Sequence, residues 1–265
     1  MLKIRLVIAI WLVTIPTSTA LAQLPDYFDW RDVDGENWMT PVKNQGSCGS
    51  CWAFSSVGTV EGQYNIFFDW PEYDPDLSEQ YLVSDCFTLG DCGGLWLSDW
   101  PKVFEYIRDS GITDEACFPY IASNSPCNRC VDWQDRLWKI DDKEHVSNTV
   151  EAIKEYLYET GPISVAMRYG SFIWDNGIFR CDPDYPANHC VIITGYNETG
   201  GYWIVKNSYG ADWGPDGTGY FKVGFGECVI ENYAIGATLT EPDIEKFYIK
   251  NSLGETVAWF DNFGN

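Results

Sequence analysis

The sequence predicts an α+β fold of two unlike lobes, with a cleft where they meet. Three observations predict it. Helical spacing of apolar residues marks the chain up to about residue 111, short β-rich segments follow from residue 163 to 239, and few helical patterns intervene. The chain is also long enough for a sizeable core, with 265 residues of which 45% are hydrophobic and 16% aromatic. Its 39 acidic against 17 basic side chains give a formal charge of −22, which repels phosphate backbones and anionic lipid. That balance argues against nucleic acid as a partner and reads as a solvated surface. No internal repeat or low-complexity tract is visible.

Residues 1–22 read as a signal peptide. Lys3 and Arg5 precede the apolar run from Leu6 to Ile15, and small residues at Ala20 and Ala22 prepare a cut after Ala22. The apolar run is about half of the ~20 residues that span a bilayer, so no membrane span is expected after cleavage. Cleavage removes two bases and no acid, leaving 15 bases against 39 acids and a charge of −24. A secreted or other extracytoplasmic destination follows, and there cysteines pair.

A first helix is predicted over 51–67, where Trp52, Phe54, Val57, Val60 and Tyr64 bias the stretch toward burial. A second follows from Trp100, Val103, Phe104 and Ile107, stopping at Gly111. A third starts at Asn148, which is spaced as a capping pair with Glu151; it carries Val150, Ile153 and Leu157 on one face and stops at Gly161-Pro162. Strands are predicted over 163–167, 190–194, 202–205, 219–223 and 234–239, rich in Ile, Val, Tyr and Phe between Gly, Asn and Asp. These elements define one domain over 23–240. The last stretch, 241–265, reads as a C-terminal extension with two strands over 246–250 and 255–260, the start of a further β unit.

Ten cysteines stand at 48, 51, 86, 92, 117, 127, 130, 181, 190 and 228. Metal binding competes with bridging, because Cys127 and Cys130 form a C-x-x-C. No second such pair exists, and only His145 and His189 could add imidazole, so bridging is favoured and no metal is expected. Cys51 differs from the rest. It lies in Gln45-Gly46-Ser47-Cys48-Gly49-Ser50-Cys51-Trp52-Ala53-Phe54, at the start of the first predicted helix and behind small residues that admit another chain. Unpaired helix N–H groups favour an anion there, so its thiol should ionise easily, as a nucleophile needs. A bridge from Cys51 to Cys48 across so short a loop is geometrically awkward.

This segment resembles the nucleophile motif of the papain-like cysteine proteases, the family of papain and the lysosomal cathepsins. Asn188-His189-Cys190-Val191 puts its histidine 138 residues after Cys51, and Lys206-Asn207-Ser208 puts its asparagine 156 residues after. Further matches are Leu24-Pro25 with Asp29-Trp30-Arg31, Leu77-Ser78-Glu79-Gln80, Asn207-Ser208-Tyr209-Gly210 with Trp213-Gly214, and Gly217-Thr218-Gly219-Tyr220. The resemblance spans about Leu24 to Leu239 and implies a two-lobed papain-like fold: a mainly helical N-terminal lobe, a β-rich C-terminal lobe, and the active-site cleft between them. It implies a secreted cysteine endopeptidase acting on protein or peptide substrates as a monomer, without cofactor. Cys51 would attack the peptide carbonyl, His189 would hold it as a thiolate–imidazolium pair and protonate the leaving amine, and Asn207 would orient the imidazole. Gln45 and the Cys51 N–H would bind the oxyanion. His145, in the charged stretch Asp141-Asp142-Lys143-Glu144, is expected to be solvated.

Carried over residue by residue, the family's bridges are Cys48–Cys92, Cys86–Cys127 and Cys181–Cys228. Cys117 and Cys130 would make an extra pair, although Cys127 and Cys130 exchange as partners almost equally well. Cys190 remains free. Substrate would lie along Gly94 and Leu95, and the side chain second from the scissile bond would enter a pocket of Leu97, Ala166, Cys190 and, at its far end, Tyr233. Two departures bear on activity: Leu95 stands where the family has the second glycine of Cys-x-Gly-Gly, and Tyr209 stands where a tryptophan shields the Asn–His hydrogen bond. The resemblance also implies an inhibitory propeptide ahead of Leu24-Pro25, where this sequence carries the signal-like segment. Two rival readings accompany it, a non-catalytic papain-like binding module of a larger secreted protein and a Cys-His-Asn acyl transferase of transglutaminase type; the Gln45 motif favours the protease.

Overall fold

A computed structural model describes residues 23–170, 172–181, 186–240, 247–250 and 256–260; the signal-like segment 1–22 lies outside them. In chain order the elements are β1 (Tyr27–Asp29), α1 (Cys51–Phe67), α2 (Glu79–Leu82), α3 (Pro101–Asp109), β2 (Asp142–His145), α4 (Val150–Glu159), β3 (Ile163–Met167), β4 (Phe172–Asp175), β5 (Ile178–Cys181), β6 (His189–Asn197), β7 (Tyr202–Lys206), β8 (Tyr220–Gly224), β9 (Ala234–Thr238), β10 (Phe247–Lys250) and β11 (Thr256–Phe260).

Helix α1 is buried on nearly every face from Trp52 to Gln63, as a helix without a polar stripe must be. Part of that burial is against β6. Gly58 makes the approach possible, since a Cβ there would fall 2.7 Å from Ile192 Cδ1. The sequence-predicted cap of α4 needs correcting by one residue. Thr149, not Asn148, is the N-cap: its backbone is extended and its hydroxyl accepts the Ala152 N–H at 3.2 Å. A β-branched residue takes that extended conformation readily, and Glu151 falls in the first turn beside the helix dipole.

The main sheet runs β2-β9-β3-β6-β7-β8-β5-β4, with β1 added to β6. Every pairing in it is antiparallel except β5 with β8. Its central strand β6 is buried from His189 to Tyr196 and longer than the predicted 190–194. A register shift between Ile193 and Gly195 lets it bend and carry both β7 and β1. The sheet separates two cores. Alternation of side chains sends Ala166, Cys190 and Ile235 into the helical core with Trp52, Tyr81, Trp100 and Phe104, and sends Val165, Met167 and Val191 into the other with Leu157, Trp203 and Phe221. The helical lobe and the β lobe therefore meet across β3 and β6.

Three disulfides lie in the first half of the chain, Cys48–Cys92, Cys86–Cys127 and Cys117–Cys130, and Cys181–Cys228 lies in the β lobe. Cys51 and Cys190 are free. The trailing strands β10 and β11 pair with each other in a two-stranded antiparallel sheet.

Candidate active site

A cleft of about 930 Å³ opens between the lobes. Gln45, Cys51 and Trp52 line it from the helical lobe, the Gly93–Leu97 segment runs along it, and Ala166, His189, Cys190 and Tyr209 line it from the sheet. Cys51 is the first residue of α1, and the residue before it is unusual in what it fails to do. Ser50 is a favoured capping type, yet its hydroxyl makes no cap bond and instead meets Tyr120 Oη at 2.6 Å. The first donors of α1 are thus left uncovered, and the Cys51 backbone N–H has no partner among the described residues. Gly49 closes the turn ahead of it, donating its N–H to Cys92 O at 2.9 Å where a Cβ would collide.

His189 comes to Cys51 through strand pairing. It starts β6, which runs antiparallel to β7, so the residue just past the end of β7, Asn207, falls beside it. His189 Nε2 and Asn207 Oδ1 are 2.8 Å apart, and both residues are buried. The amide oxygen also accepts the Ser208 N–H at 2.9 Å, and an oxygen can only accept. Nε2 therefore carries the proton, and Nδ1 is the nitrogen left for the thiol. Tyr209 stacks on the imidazole at 5.0 Å between centroids, and Tyr169 covers it at 5.2 Å. Burial pushes the phenol of Tyr209 well above its ordinary range, so it stays neutral there.

The Cys51 thiol is held well below its usual range, by a hydrogen bond from the Cys190 thiol and by the neighbouring His189, against the burial that would raise it. Cys190 is pushed the other way, by that bond to Cys51 and by burial. Gln45 is fixed on every side: its N–H donates to Ser208 O at 2.8 Å, its Oε1 accepts the Ser208 hydroxyl at 2.7 Å, and its Nε2 donates to Cys48 O at 2.9 Å. The amide has two donors, so one N–H of Nε2 is left beside the cleft.

An ionic cluster behind the site escaped the sequence reading. Lys206, the last residue of β7, donates to Thr40 O at 2.7 Å and to Thr40 Oγ1 at 3.0 Å; Thr40 donates to Glu61, and Lys43 reaches Glu61, Asp76 and Glu79 at 2.7, 2.8 and 3.1 Å. Burial pushes Lys206 down to about 8 and Glu79 up to about 8. Lys43, against its own burial, is held above its ordinary value by Glu61 and Glu79. The one sequence signal was Glu61, the sole charge in a helix otherwise built for burial.

Of the predicted substrate positions, Gly94, Leu95, Leu97, Ala166 and Cys190 line the cleft. Tyr233 does not. It borders a separate cavity of about 120 Å³ that shares only Leu97 with the cleft, while its carbonyl accepts the Ala166 N–H at 3.2 Å. Leu95 turns its side chain toward Gly90 and the helical core, and its backbone N–H and C=O have no partner among the described residues.

A family model described as "Papain family cysteine protease" matches residues 24–238. The chain belongs to the papain family. "Cysteine proteinase 2" of Leishmania pifanoi is 34% identical over 228 residues, covering 83% of this chain and 50% of that protein. A "Viral cathepsin" of Heliothis zea nuclear polyhedrosis virus is 38% identical over 204 residues, covering 74% and 52%. The chain thus spans about half the length of these curated relatives. Among solved structures, digestive procathepsin L2 proteinase from the larval midgut of Tenebrio molitor superposes with a TM-score of 0.70 at 32% identity, over 83% of this chain and 70% of that one. The Carica candamarcensis cysteine protease CMS1MS2, solved in complex with E-64, gives 0.68 at 28% identity, over 82% of this chain and all of that one. The α+β architecture is accordingly the papain fold, with the family's cleft between its lobes.

Proposed function

We propose that this papain-family chain is a cysteine endopeptidase that hydrolyses peptide bonds through an acyl-cysteine intermediate. The observation that carries the reading is the position of Cys51, at an uncapped helix start in one cleft with a His189 whose far nitrogen is bound by Asn207. The Cys51 thiolate attacks the carbonyl carbon, and the oxyanion takes the Cys51 backbone N–H and the spare N–H of Gln45 Nε2. His189 then gives the Nδ1 proton to the leaving amine, and the acyl-cysteine remains. In the second half His189 takes a proton from water, which attacks the thioester and releases the acid. Asn207 and the aromatic cover keep the ring in one orientation throughout.

Substrate would lie extended along Gly94 and Leu95, where the unpaired backbone N–H and C=O of Leu95 suit a strand-like peptide. The pocket of Leu97, Ala166 and Cys190 holds no carboxylate, so an apolar side chain second from the scissile bond gains about 1.5 to 3 kcal/mol there, and Arg would sit unpaired. The peptidase unit runs over 23–240, follows a signal peptide cut after Ala22 and is exported as a monomer; the charge pattern of residues 1–22 supports the export. Among the described residues no helix is long and apolar enough to cross a membrane.

Casein hydrolysis in reducing buffer, with and without a thiol-directed epoxide, tests the activity. Cys51→Ala should abolish turnover and leave the melting temperature unchanged, and full activity in that variant would refute the mechanism. A peptide library varied at the second position should show Leu, Val or Phe ahead of Arg; dominant Arg or Glu would refute the pocket.

A further inference from the structure

Eight of ten cysteines are bridged, and the two that are not share the cleft. Their placement follows from the fold. Cys190 is the second residue of β6, on the face that looks into the helical lobe, opposite Ala166 of β3. Cys51 opens the helix that packs on that strand, so both thiols line the same cleft, and Cys190 is the neighbour that acts most strongly on the Cys51 thiol. In the mechanism above Cys190 takes no part in bond making; it walls the substrate pocket and favours the Cys51 thiolate. It is buried, with Ser55 of α1 as its other polar neighbour, so a dissolved oxidant meets Cys51 first.

We propose that Cys190 is a resolving thiol for Cys51, so that peroxide oxidation of the cleft sulfur ends in a reversible Cys51–Cys190 disulfide. The proposal rests on Cys51 being the reactive nucleophile of the proposed peptidase. An easily ionised, accessible cysteine poised beside a second thiol is the arrangement that peroxide oxidises reversibly. In the first step the Cys51 thiolate attacks hydrogen peroxide, taking one oxygen to become the sulfenic acid, while the second oxygen leaves as hydroxide and is protonated to water. In the second, the Cys190 sulfur attacks the sulfenic sulfur; the S–S bond forms, and the displaced hydroxide combines with the Cys190 proton as a second water. Two thiols and one peroxide thus give one disulfide and two waters. Without Cys190 the sulfenic acid has no partner in the cleft, and further peroxide carries it to the sulfinic and sulfonic acids, which a thiol does not reverse.

The test uses the full secreted protein, first fully reduced at its free thiols, then exposed to a few equivalents of hydrogen peroxide and quenched with catalase. Non-reducing digestion and mass mapping should find a peptide containing Cys51 linked to one containing Cys190, at the cost of two hydrogens. Peptidase activity and alkylation of Cys51 should both fall, then return to most of the starting level with glutathione, a monothiol mild enough to spare the structural bridges. Cys190→Ala and Cys190→Ser, each compared with its own starting activity, should instead carry sulfinic or sulfonic acid at Cys51 and recover about tenfold less. A wild-type map that shows oxidised Cys51 and no linked peptide overturns the proposal, whatever the variants do, and so does equal recovery in wild type and variants. A linked peptide in a protein that cleaves nothing would refute the peptidase and leave the thiol pair standing. Proteolysis without the linked peptide would do the reverse.

Discussion

Replacing Asn207 by alanine removes the single acceptor that His189 Nε2 has on its buried side. The bond is 2.8 Å long, both partners are buried, and Tyr209 lies over the imidazole, so no bulk water replaces the lost oxygen. A hydrogen bond to a group that becomes charged contributes about 1.5 to 3 kcal/mol. At 1.36 kcal/mol per factor of ten, kcat/KM should fall by about 10- to 150-fold. The loss should appear in kcat with KM nearly unchanged, because Asn207 does not line the cleft and touches the substrate only through His189. Stability should change little on the Nδ2 side, where the amide has no partner to lose. The assay is a fluorogenic peptide across a pH series with a melting curve on the same samples, and Asn207→Asp serves as the conservative control. It keeps an acceptor at the same reach and should recover part of the rate. A folded Asn207→Ala within twofold of wild type at every pH would refute the orienting role.

Lys43→Met strips the cation from Glu61 and Glu79, which are both almost wholly buried, and breaking such a pair costs about 3 to 5 kcal/mol. For a chain of this size that is a fall of about 6 to 20 °C in melting temperature, and calorimetry showing under 2 °C would mean the cluster is not a structural requirement. Cys51 should react with iodoacetamide well below the pH range of an ordinary thiol, near 8.5, because Cys190 and His189 favour its ionised form. Since a lowered pKa keeps the thiolate as pH falls, His189→Ala should move the acid limb of the alkylation profile upward; a limb at the ordinary thiol value in wild type would count against the assignment.

Much of this was legible from local pattern. The first helix appears over 51–67 because no charge interrupts its burial except Glu61, and β3 appears over 163–167 because five residues between Gly161-Pro162 and Arg168 are all apolar or small. Strands β1, β2, β4 and β5 were not read. Each is three or four residues long, and β2 is Asp-Lys-Glu-His at the edge of the sheet, where charge is tolerated because one side of the strand pairs with nothing. Tyr233 lies beside a separate cavity for another reason: it stands in the irregular stretch between Cys228 and β9, and such a stretch fixes neither direction nor register from sequence alone. Likewise the ionic cluster joins Thr40, Lys43, Glu61, Glu79 and Lys206, residues far apart in sequence whose partnership exists only after α1 has packed on β6. The nearness of Cys190 to Cys51 has the same origin.

The exchange of tryptophan for Tyr209 shows how such placement decides the effect of a departure. A phenol ring is smaller than an indole, and alone it would cover less of the His189–Asn207 bond. Here it does not act alone. Tyr209 stacks on the imidazole at an interplanar angle of 21°, Tyr169 packs against both at 5.2 and 5.8 Å, and Trp213 stands edge-on to Tyr209 at 5.4 Å. Trp213 is in turn held by Phe221 of β8 at 5.3 Å. What the site requires is a dry, rigid cover on that side, since water reaching Nε2 would compete with Asn207 for its proton and loosen the ring. Three rings anchored on the β lobe meet that requirement as one larger ring would. Tyr209 and Tyr169 lie directly against the imidazole, and Trp213 acts one step behind them by holding Tyr209 in place.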